Sequence, residues 1–576
     1  MSPDDPEARA RRVLSRCSSC GHCRELMDDA SCLFMPELYR LADREAAGGE
    51  AISEVELKAL IGLCNACGIC PCAPVQAWIN EARDAFVNRD GLASGVRLLE
   101  NVQRLGQIGE AVPHLANALT GANSIARTVR RIVRIHPERK VPRFPIDGFS
   151  TWARARGLHG KPRTASRKIA YFVGCTARYF FPEVAKATVE VLERNGVAVH
   201  LPEQKCCGMP ALLEGDRSFT FDRVRFNVEE LARCVEEGFD IVCSCPTCGY
   251  LLKSLLRDGA EYSEDYRSLV AKMIDEAGGD MGLVSQRLSE RDAAFTGNVS
   301  RRAGHGRQPW LLGLVPRQVF QDQGYFSALS GLARLRVANH TYDLGEYLSM
   351  LHQARELALQ FGAIGSSASY FAPCHQRQQG IGQPWKDLLG LIPGLEVARV
   401  GDGFDCCGQG GLMGFKQDFH VTSLRIGQRL TEKIRAAAPE CLVTDCLSCR
   451  IQFEQVLSRE ARHPVELLRD SYRAYRAAMV GEIKGEQTHE CRGSDFSPGR
   501  RAPEEGGERG TGKSLSPLRS GMTGSVGEVA HRLLRWDNYS PDKGRLGGGG
   551  NAPWTTQSLF NPPCLPPVSG ETEPRS

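Results

Sequence analysis

Cysteines at short, fixed spacings are the feature of this sequence best suited to chemistry. The chain has 23 cysteines among 576 residues. Two triples share the pattern C-x2-C-x2-C: Cys17, Cys20 and Cys23, and then Cys64, Cys67 and Cys70. A loop with this spacing presents three thiolates to three irons of a [4Fe–4S] cluster, and a fourth thiolate comes from elsewhere in the chain. The sequence therefore predicts two ferredoxin-like clusters.

The fourth ligand of each predicted cluster is Cys32 or Cys72. In two-cluster ferredoxins each fourth cysteine ligates the other cluster, so Cys72 would complete the first triple and Cys32 the second. Both depart from the usual three-residue gap, because eight residues precede Cys32 and one precedes Cys72. The pairing therefore stays open. Zinc is the alternative metal, but it favours four ligands in two pairs over two triples.

A longer cysteine pattern occurs twice further along the chain. Its two copies are Cys175, Cys206, Cys207, Cys245 and Cys248, and then Cys374, Cys406, Cys407, Cys446 and Cys449. Equivalent cysteines are 199 to 201 residues apart, which indicates a duplicated unit. A glycine follows each vicinal pair, and we call each copy a CCG module. Five thiols exceed the four of a regular cube, so each module predicts an unusual cluster.

Short strands must position these cysteines. In the first copy, apolar runs predict strands over residues 168–173, 197–201 and 240–243, with helices between them. This alternation is typical of a parallel α/β layer. Loops that follow parallel strands meet at one edge of the sheet, so we expect the cysteines of each copy to converge there.

The cysteine groups and composition changes divide the chain into six segments. We predict a ferredoxin-like α+β dicluster domain over 8–82, a helical linker over 83–165, and α/β CCG modules over 166–262 and 367–478. Residues 263–366 connect the modules. A tail over 479–576, rich in Gly, Pro, Ser and Arg, is predicted to be disordered.

Composition narrows the class of protein. A formal net charge of +4 gives no support for nucleic-acid binding. No apolar run of 18 residues occurs, and the first residues lack the apolar core of a signal peptide, so we expect a cytoplasmic protein without a transmembrane helix. In a reducing compartment the cysteines favour metal ligation over disulfides. An amphipathic basic segment, residues 125–134, predicts a solvated helix. A partner contact or peripheral attachment at the inner face of the membrane stays open.

Motifs for other cofactors do not occur. No dinucleotide-binding glycine pattern follows a strand, so we predict no flavin or NAD site in this chain. Iron–sulfur clusters carry one electron each, whereas oxidising an alcohol or hydroxy acid requires a two-electron acceptor. We therefore expect a partner that carries flavin.

The two-copy arrangement resembles the CCG-domain proteins, over roughly residues 10–475. That family includes the catalytic subunit of heterodisulfide reductase, the iron–sulfur subunit of glycolate oxidase and a subunit of anaerobic glycerol-3-phosphate dehydrogenase. The resemblance rests on several motifs: His136-Pro137-Glu138-Arg139, Cys206-Cys207-Gly208-Met209-Pro210, Pro246-Thr247-Cys248, Pro373-Cys374-His375, Cys406-Cys407-Gly408 and Thr444-Asp445-Cys446.

The resemblance implies a noncubane [4Fe–4S] cluster held by the five cysteines of each module. It also implies an electron-transfer subunit that relays electrons from a flavin dehydrogenase, of glycerol-3-phosphate or 2-hydroxy-acid type, toward quinone or another carrier. A membrane quinone-linked subunit is the other partner implied. Disulfide reduction at the CCG clusters is the alternative function that the same cysteines allow.

Overall fold

The computed structural model of the chain describes residues 5–27, 30–70, 72–121, 123–162, 165–284, 286–287, 321–457 and 460–480. These residues form N-terminal helices, two parallel four-stranded sheets, and helices around the sheets. Among the helices so described, none is long and apolar enough to cross a membrane. From residue 481 onward the predicted tail lies outside the described residues.

The N-terminal part consists of helices. They are α1 (Pro6–Cys20), α2 (Cys23–Leu26), α3 (Phe34–Ala46), α4 (Glu54–Leu63) and α5 (Ala73–Asp90). Ser53 begins α4 with a capping box, in which its hydroxyl accepts from Glu56 N and the Glu56 carboxylate accepts from Ser53 N. Helices α1 and α5 pack together around Val13 and Ile79.

The α+β ferredoxin-like domain expected over residues 8–82 is not confirmed. No strand occurs among the described residues of this segment, and both cysteine triples lie where helices end and begin. The physical reason is local: the apolar residues between the two triples recur at helical spacing on α3 and α4, so they pack as helices.

The linker also forms helices. They are α6 (Ser94–Glu100), α7 (Val102–Ala111), α8 (Pro113–Thr120), α9 (Ser124–Ile132) and α10 (Phe149–Ala155). Asn101 and Asn123 cap α7 and α9, since each side-chain oxygen accepts a backbone N–H of the first turn. Beyond α9, Ile135 forms an antiparallel bridge with Lys416. The linker therefore touches the second CCG module.

The first sheet has the strand order β2-β1-β3-β4, and its neighbouring strands are all parallel. Its strands are β1 (Lys168–Phe172), β2 (Ala198–His200), β3 (Asp240–Cys243) and β4 (Thr341–Asp343). Its helices are α11 (Cys175–Tyr179), α12 (Pro182–Arg194), α13 (Met209–Glu214), α14 (Arg217–Glu236), α15 (Pro246–Tyr250), α16 (Glu264–Glu276), α17 (Gly331–Asn339) and α18 (Leu344–Gln353). A π-helical turn, Leu251–Leu255, continues α15, and a 3₁₀ turn, Ala260–Tyr262, precedes α16.

The second sheet repeats this topology with the order β6-β5-β7-β8, again parallel throughout. Its strands are β5 (Ser366–Tyr370), β6 (Leu395–Arg399), β7 (Cys441–Val443) and β8 (Ala461–Arg462). Its helices are α19 (Cys374–Arg377), α20 (Pro384–Leu389), α21 (His420–Ala437), α22 (Leu447–Val456) and α23 (Pro464–Val480).

The two sheets share one hydrophobic core. Helix α12 of the first half packs on α23 of the second, and α18 packs on α20. Trp385 on α20 is among the largest fully buried side chains of this core, beside Leu348 on α18 and Val465 on α23. Burying an apolar side chain of this size contributes about 1.5–3 kcal/mol. The duplicated units therefore fold against each other, which fixes the relative positions of their cysteines.

The predicted strands of the first copy are confirmed as β1, β2 and β3. The structure adds a fourth strand to each sheet, and β4 comes from the segment predicted only to connect the modules. Cys234, Cys243 and Cys441, which belong to none of the four cysteine motifs, are buried in α14, β3 and β7.

Candidate metal centres

The cysteines of the first module follow the strands of the first sheet. Cys175 begins α11 directly after β1, and Cys206 and Cys207 lie in the loop after β2. Cys245 and Cys248 follow β3, at the start of α15 and within it. Gly174 has a φ of +73°, and a Cβ there would lie 3.0 Å from Cys248 Sγ. A side chain at Gly174 would therefore crowd the Cys248 thiol, and the positive φ also favours glycine at this position.

The thiols of the first module contact one another in a buried group. Cys175 Sγ and Cys206 Sγ are 3.5 Å apart. The pKa of Cys206 is lowered well below its usual value, because Cys175 and Cys207 donate S–H bonds to it, and the pKa values of these two donors rise in return. Cys207 also interacts with Cys248, which interacts with Cys245. The five thiols thus form one connected set.

The second module repeats this arrangement around Cys406. S–H bonds from Cys374 and Cys407 lower the pKa of Cys406 well below its usual value. Cys407 interacts in turn with Cys449, and a bond from Cys449 lowers the pKa of Cys446 to about 7. In both modules the first cysteine of the vicinal pair is therefore the thiol that most readily becomes a thiolate, and its neighbours stabilise that charge.

The N-terminal cysteines form two neighbouring sets. Burial raises the pKa of Cys17 to about 12, and the nearby Cys23 and Cys72 thiols add to the rise. Burial likewise raises the pKa of Cys32 to about 11, with a further contribution from Cys64. Cys23, a member of the first triple, also adds to the rise at Cys32, so Cys32 has neighbours from both triples. The pairing of Cys72 with the first triple and Cys32 with the second therefore stays a prediction.

Cys70, a member of the second triple, lies close to thiols of both N-terminal sets. Burial raises its pKa, and thiols of both sets add to the rise: Cys64, Cys32, Cys23 and Cys17. Cys20 is exposed, unlike Cys17 and Cys23. Burial and the nearby Cys406 raise the pKa of Cys67. The N-terminal thiols therefore extend from the exposed Cys20 to Cys67, which we call the interior end.

The interior end touches the second CCG module directly. Asn65, next to Cys64, donates a hydrogen bond from Nδ2 to Cys406 Sγ at 3.3 Å. The backbone N–H of Gly408 donates to the same sulfur, also at 3.3 Å. Gly68 has a φ of +68°, and a Cβ there would collide with the Gln378 side chain. The loop of the second triple therefore packs closely on the second module, at Gln378 and Cys406.

His375 joins three parts of the chain at this junction. Its Nε2–H donates to Ala66 O at 3.1 Å, so the neutral ring accepts from the Thr247 hydroxyl at Nδ1, at 3.0 Å. The ring stacks on Tyr250 with centroids 4.9 Å apart. Thr247 Oγ1 is also 3.9 Å from Cys446 Sγ. His375 therefore fixes the loop of the second triple and both modules to one another, and this is a structural role.

The donor set defines what the centres could hold. Every predicted ligand is a thiol, and thiolates at these spacings suit iron–sulfur clusters, in which several irons share the sulfurs. Across the described ranges, no three His, Cys, Asp or Glu side chains are arranged to hold a metal ion. The residues that could hold clusters are the two N-terminal sets of four thiols and the two module sets of five.

Several residues at these centres were not among the residues singled out for a role in the sequence. Asn65 and Tyr250 carry no motif of their own, and Thr247 belongs to the Pro246-Thr247-Cys248 motif without a role assigned to its side chain. Only the fold brings these three residues to the thiols. Lys416 forms an ion pair with Glu214 at 2.9 Å. Asp445 accepts from the Tyr370 hydroxyl at 3.0 Å and lies beside Cys446.

Comparison with known proteins places the two modules in one domain family. The model of the cysteine-rich CCG domain matches residues 169–253 and 368–454. Among similar proteins, a subunit of the anaerobic glycerol-3-phosphate dehydrogenase of Escherichia coli K12 is 24% identical over 373 residues, which are 64% of this chain and 75% of that protein.

Two further relatives are more distant. A subunit of the fumarate reductase (CoM/CoB) of Methanothermobacter marburgensis is 23% identical over 304 residues, 52% of this chain and 44% of that protein. Lactate utilization protein A of Halalkalibacterium halodurans is 22% identical over 303 residues, 52% of this chain and 93% of that protein. The chain therefore carries two copies of the cysteine-rich CCG domain and is similar to subunits of dehydrogenases and reductases.

Proposed function

We propose that this chain is an iron–sulfur electron-transfer subunit of an oxidoreductase complex. The observation that supports this proposal most strongly is the run of neighbouring thiols from exposed Cys20 to buried Cys406. A relay needs such a path, with one end that a partner can reach and neighbouring redox centres in close contact. The path crosses from the N-terminal helices into the second module through Asn65 and Cys67.

The cysteines would hold four clusters. Cys17, Cys20, Cys23 and Cys72 would hold the first, and Cys64, Cys67, Cys70 and Cys32 the second. The five cysteines of each CCG module would hold a [4Fe–4S] cluster of noncubane type. When bound, such clusters accept and release one electron at a time, with potentials set by charge, hydrogen bonding and burial around their sulfurs.

The chain's own residues supply the environment for that transfer. Both vicinal cysteine pairs are buried, which keeps water away from the module thiols. N–H donors such as Asn65 Nδ2 and Gly408 N stabilise negative charge on Cys406. The neighbouring Cys406 raises the pKa values of Cys374 and Cys407, so these two thiols are the ones that would lose protons on metal binding.

The partner we propose is a flavin dehydrogenase of glycerol-3-phosphate or 2-hydroxy-acid type. The names of two relatives, a glycerol-3-phosphate dehydrogenase subunit and a lactate utilization protein, support these substrate classes. Electrons would leave toward quinone through a membrane-bound subunit or another carrier. We place the protein in the cytoplasm, peripheral to the inner face of the membrane.

Anaerobic reconstitution of the full chain tests the cluster content. We expect about sixteen irons and a similar amount of sulfide per chain, four of each in every cluster. Electron paramagnetic resonance of the reduced protein should then show signals of more than one type. About eight irons would mean that two of the four motifs stay empty, and zinc without sulfide would refute the proposal.

A transfer experiment separates the relay from disulfide reduction. The reduced protein is mixed anaerobically with a water-soluble quinone in one arm and a thiol disulfide in the other. Rapid reoxidation by quinone alone supports the relay. Rapid reoxidation by the disulfide, with two thiols released per disulfide, would instead assign disulfide-reductase activity to the chain.

A further inference from the structure

Arg139 is a buried cation beside the second CCG module. It lies in the linker between α9 and α10, and only 1% of it is exposed. Its Nη1 donates to Gln452 Oε1 at 2.7 Å, and its Nη2 donates to Gln409 Oε1. Its Cζ lies 4.5 Å from the centroid of the Phe415 ring, which covers one face of the guanidinium.

No carboxylate within the described part of the chain pairs with Arg139. Its direct hydrogen-bond acceptors are two neutral amides, and its Nε is buried without a partner. A buried charge of this kind is costly unless an opposite charge offsets it. Burial lowers the pKa of Arg139 to about 10, and the ionisable group that opposes this shift is the Cys407 thiol.

The two amides tie Arg139 to both cysteine loops of the module. Gln409 is two residues beyond Cys407, and Gln452 is three residues beyond Cys449 on α22. Each amide is held in turn, since Gln409 Nε2 donates to Gly411 O and Gln452 Nε2 donates to Ser423 Oγ. The guanidinium is therefore held in a fixed position relative to the thiols.

Among its described residues, the first module has no equivalent of this pair of amides. At the positions that correspond to Gln409 and Gln452 in the duplication it has Met209 and Leu251, both apolar and buried. Neither side chain can accept a hydrogen bond from a guanidinium as an amide oxygen does. This way of holding a cation is thus a property of the second module.

We propose that Arg139 is a positioning residue that supplies a fixed positive charge to the thiolates of the second CCG module, and that it raises the reduction potential of the cluster held there. The proposal rests on the proposed function, because it requires a cluster in that module. Reduction adds negative charge, and a nearby cation in a medium of low dielectric constant stabilises the reduced state more than the oxidised one. Asp445 of the same module stays in place in every variant below, so its effect is constant.

The test compares variants of the full chain after anaerobic reconstitution. Arg139→Gln removes the positive charge. Arg139→Lys keeps the charge but lacks the two N–H groups with which the guanidinium bonds Gln452 and Gln409. Arg130→Gln is the matched control, because Arg130 is also buried in the linker and donates only to the carbonyls of Thr120 and Gly121. The readouts are iron content and the midpoint potential of each signal in a titration followed by electron paramagnetic resonance.

The signal of the second module is identified as the one that Cys407→Ser alters. In Arg139→Gln we expect this signal to become at least tenfold harder to reduce, about 59 mV for a one-electron step, while the other signals stay unchanged. Arg139→Lys should have a midpoint potential close to that of the wild type, because it keeps the charge. Arg130→Gln should show no shift in potential. Full iron with an unchanged potential in Arg139→Gln would overturn the inference.

Two remaining outcomes are also decisive. If Arg139→Gln sheds iron, Arg139→Lys becomes the test. A midpoint potential near that of the wild type supports the role of the charge, and a potential lowered by about 59 mV, which is a tenfold change in the reduction equilibrium, overturns it. If the wild-type chain shows no signal that Cys407→Ser alters, the second module holds no cluster. In that case the proposed function fails before the inference is reached.

Discussion

Asn65 Nδ2 donates a hydrogen bond to Cys406 Sγ at 3.3 Å, across 341 residues of sequence. The two residues belong to different cysteine motifs, the second N-terminal triple and the second CCG module. Hydrogen bonds to a sulfur stabilise its negative charge and belong to the interactions that set cluster potentials. This hydrogen bond therefore joins the loop of the second N-terminal triple to the first thiol of the vicinal pair in the second module.

The first prediction concerns this hydrogen bond. Asn65→Leu keeps the volume of the side chain and removes the N–H donor, so the negative charge on Cys406 loses part of its stabilisation. We expect full iron content and a reduction equilibrium of the second-module signal shifted about three- to tenfold toward the oxidised form. A hydrogen bond to a charged group contributes about 1.5–3 kcal/mol, and only the part that differs between the oxidised and reduced states shifts this equilibrium. A potentiometric titration followed by electron paramagnetic resonance measures the shift.

Asn80→Leu is the control for this experiment. Asn80 is also buried in the N-terminal helices, but its side chain accepts from Arg83 and does not touch a thiol. It should leave the second-module potential unchanged. An equal shift in both variants would show that loosened packing, rather than the lost donor, is the cause.

The second prediction concerns an apolar surface on the linker. Ile125 and Ile132, seven residues apart on α9, are 66% and 74% exposed, and Arg127 and Arg131 lie beside them. Apolar side chains flanked by arginines are typical of helices that lie on anionic membranes. We expect the protein to bind vesicles that contain anionic lipid, to release as salt rises, and to lose most of this binding in Ile125→Gln/Ile132→Gln.

Val55→Gln is the control for membrane binding, because Val55 is an exposed apolar residue on α4, away from this surface. It should bind vesicles as the wild type does. Flotation of the protein with vesicles measures this binding. If neither the wild type nor Val55→Gln binds anionic vesicles at low salt, α9 is a solvated helix and the peripheral location is wrong.

The sequence predicted the strands of the first module because apolar runs ended at the cysteines. It did not predict β4, which lies in the segment assigned only to connect the modules, or β8, whose two residues are too few to show a periodicity. The basic segment was predicted as a helix, and α9 confirms it. Arg130, however, turns inward to the carbonyls of Thr120 and Gly121.

The sequence alone identified the candidate ligands but not the residues that surround them. Cysteine spacing identified the thiols, because spacing is local. Asn65 and Arg139 contact the second module across 341 and 270 residues of sequence. Asn65 belongs to no motif, and Arg139 ends the His136-Pro137-Glu138-Arg139 motif, which does not indicate what its guanidinium contacts. Apolar patterning cannot reveal such contacts, since they depend on how the N-terminal helices and the linker dock on the second sheet.

The third prediction concerns stability at low pH. His463 is fully buried, its Nε2–H donates to Ser244 O, and its Nδ1 accepts from Val465 N. Burial lowers its pKa to about 4, so between pH 4 and 6.5 the unfolded chain binds more protons than the folded chain. Stability should therefore fall as pH drops through this window, by up to about 2 kcal/mol between pH 6.5 and 5 from this residue.

Calorimetric unfolding midpoints at pH 7 and pH 5 measure this effect. In His463→Gln, which can donate and accept in the same directions without titrating, the difference between the two midpoints should shrink. His114→Gln, at an exposed position on α8, should leave the difference as in the wild type. A pH dependence that is identical in all three proteins would exclude His463 as a source.

The last prediction concerns the loss of one thiol from each kind of motif. In a cube each cysteine holds one iron, so Cys20→Ser or Cys67→Ser should leave an unstable site that sheds metal. In the CCG modules Cys207 contacts both Cys206 and Cys248, and Cys407 contacts both Cys406 and Cys449. Losing one member of such a connected set of five leaves four thiols, which is the number a four-iron cluster needs.

We therefore expect Cys207→Ser and Cys407→Ser to keep most of their iron, to alter one signal each, and to slow electron transfer sharply. Iron analysis and low-temperature electron paramagnetic resonance on the four single variants measure this difference. Cys234→Ser is the control, because Cys234 is buried in α14 without a place among the five thiols, and it should change neither iron nor spectra. Should the two CCG variants lose a whole cluster's iron as readily as Cys20→Ser and Cys67→Ser do, the modules would hold ordinary cubes with one spare cysteine each.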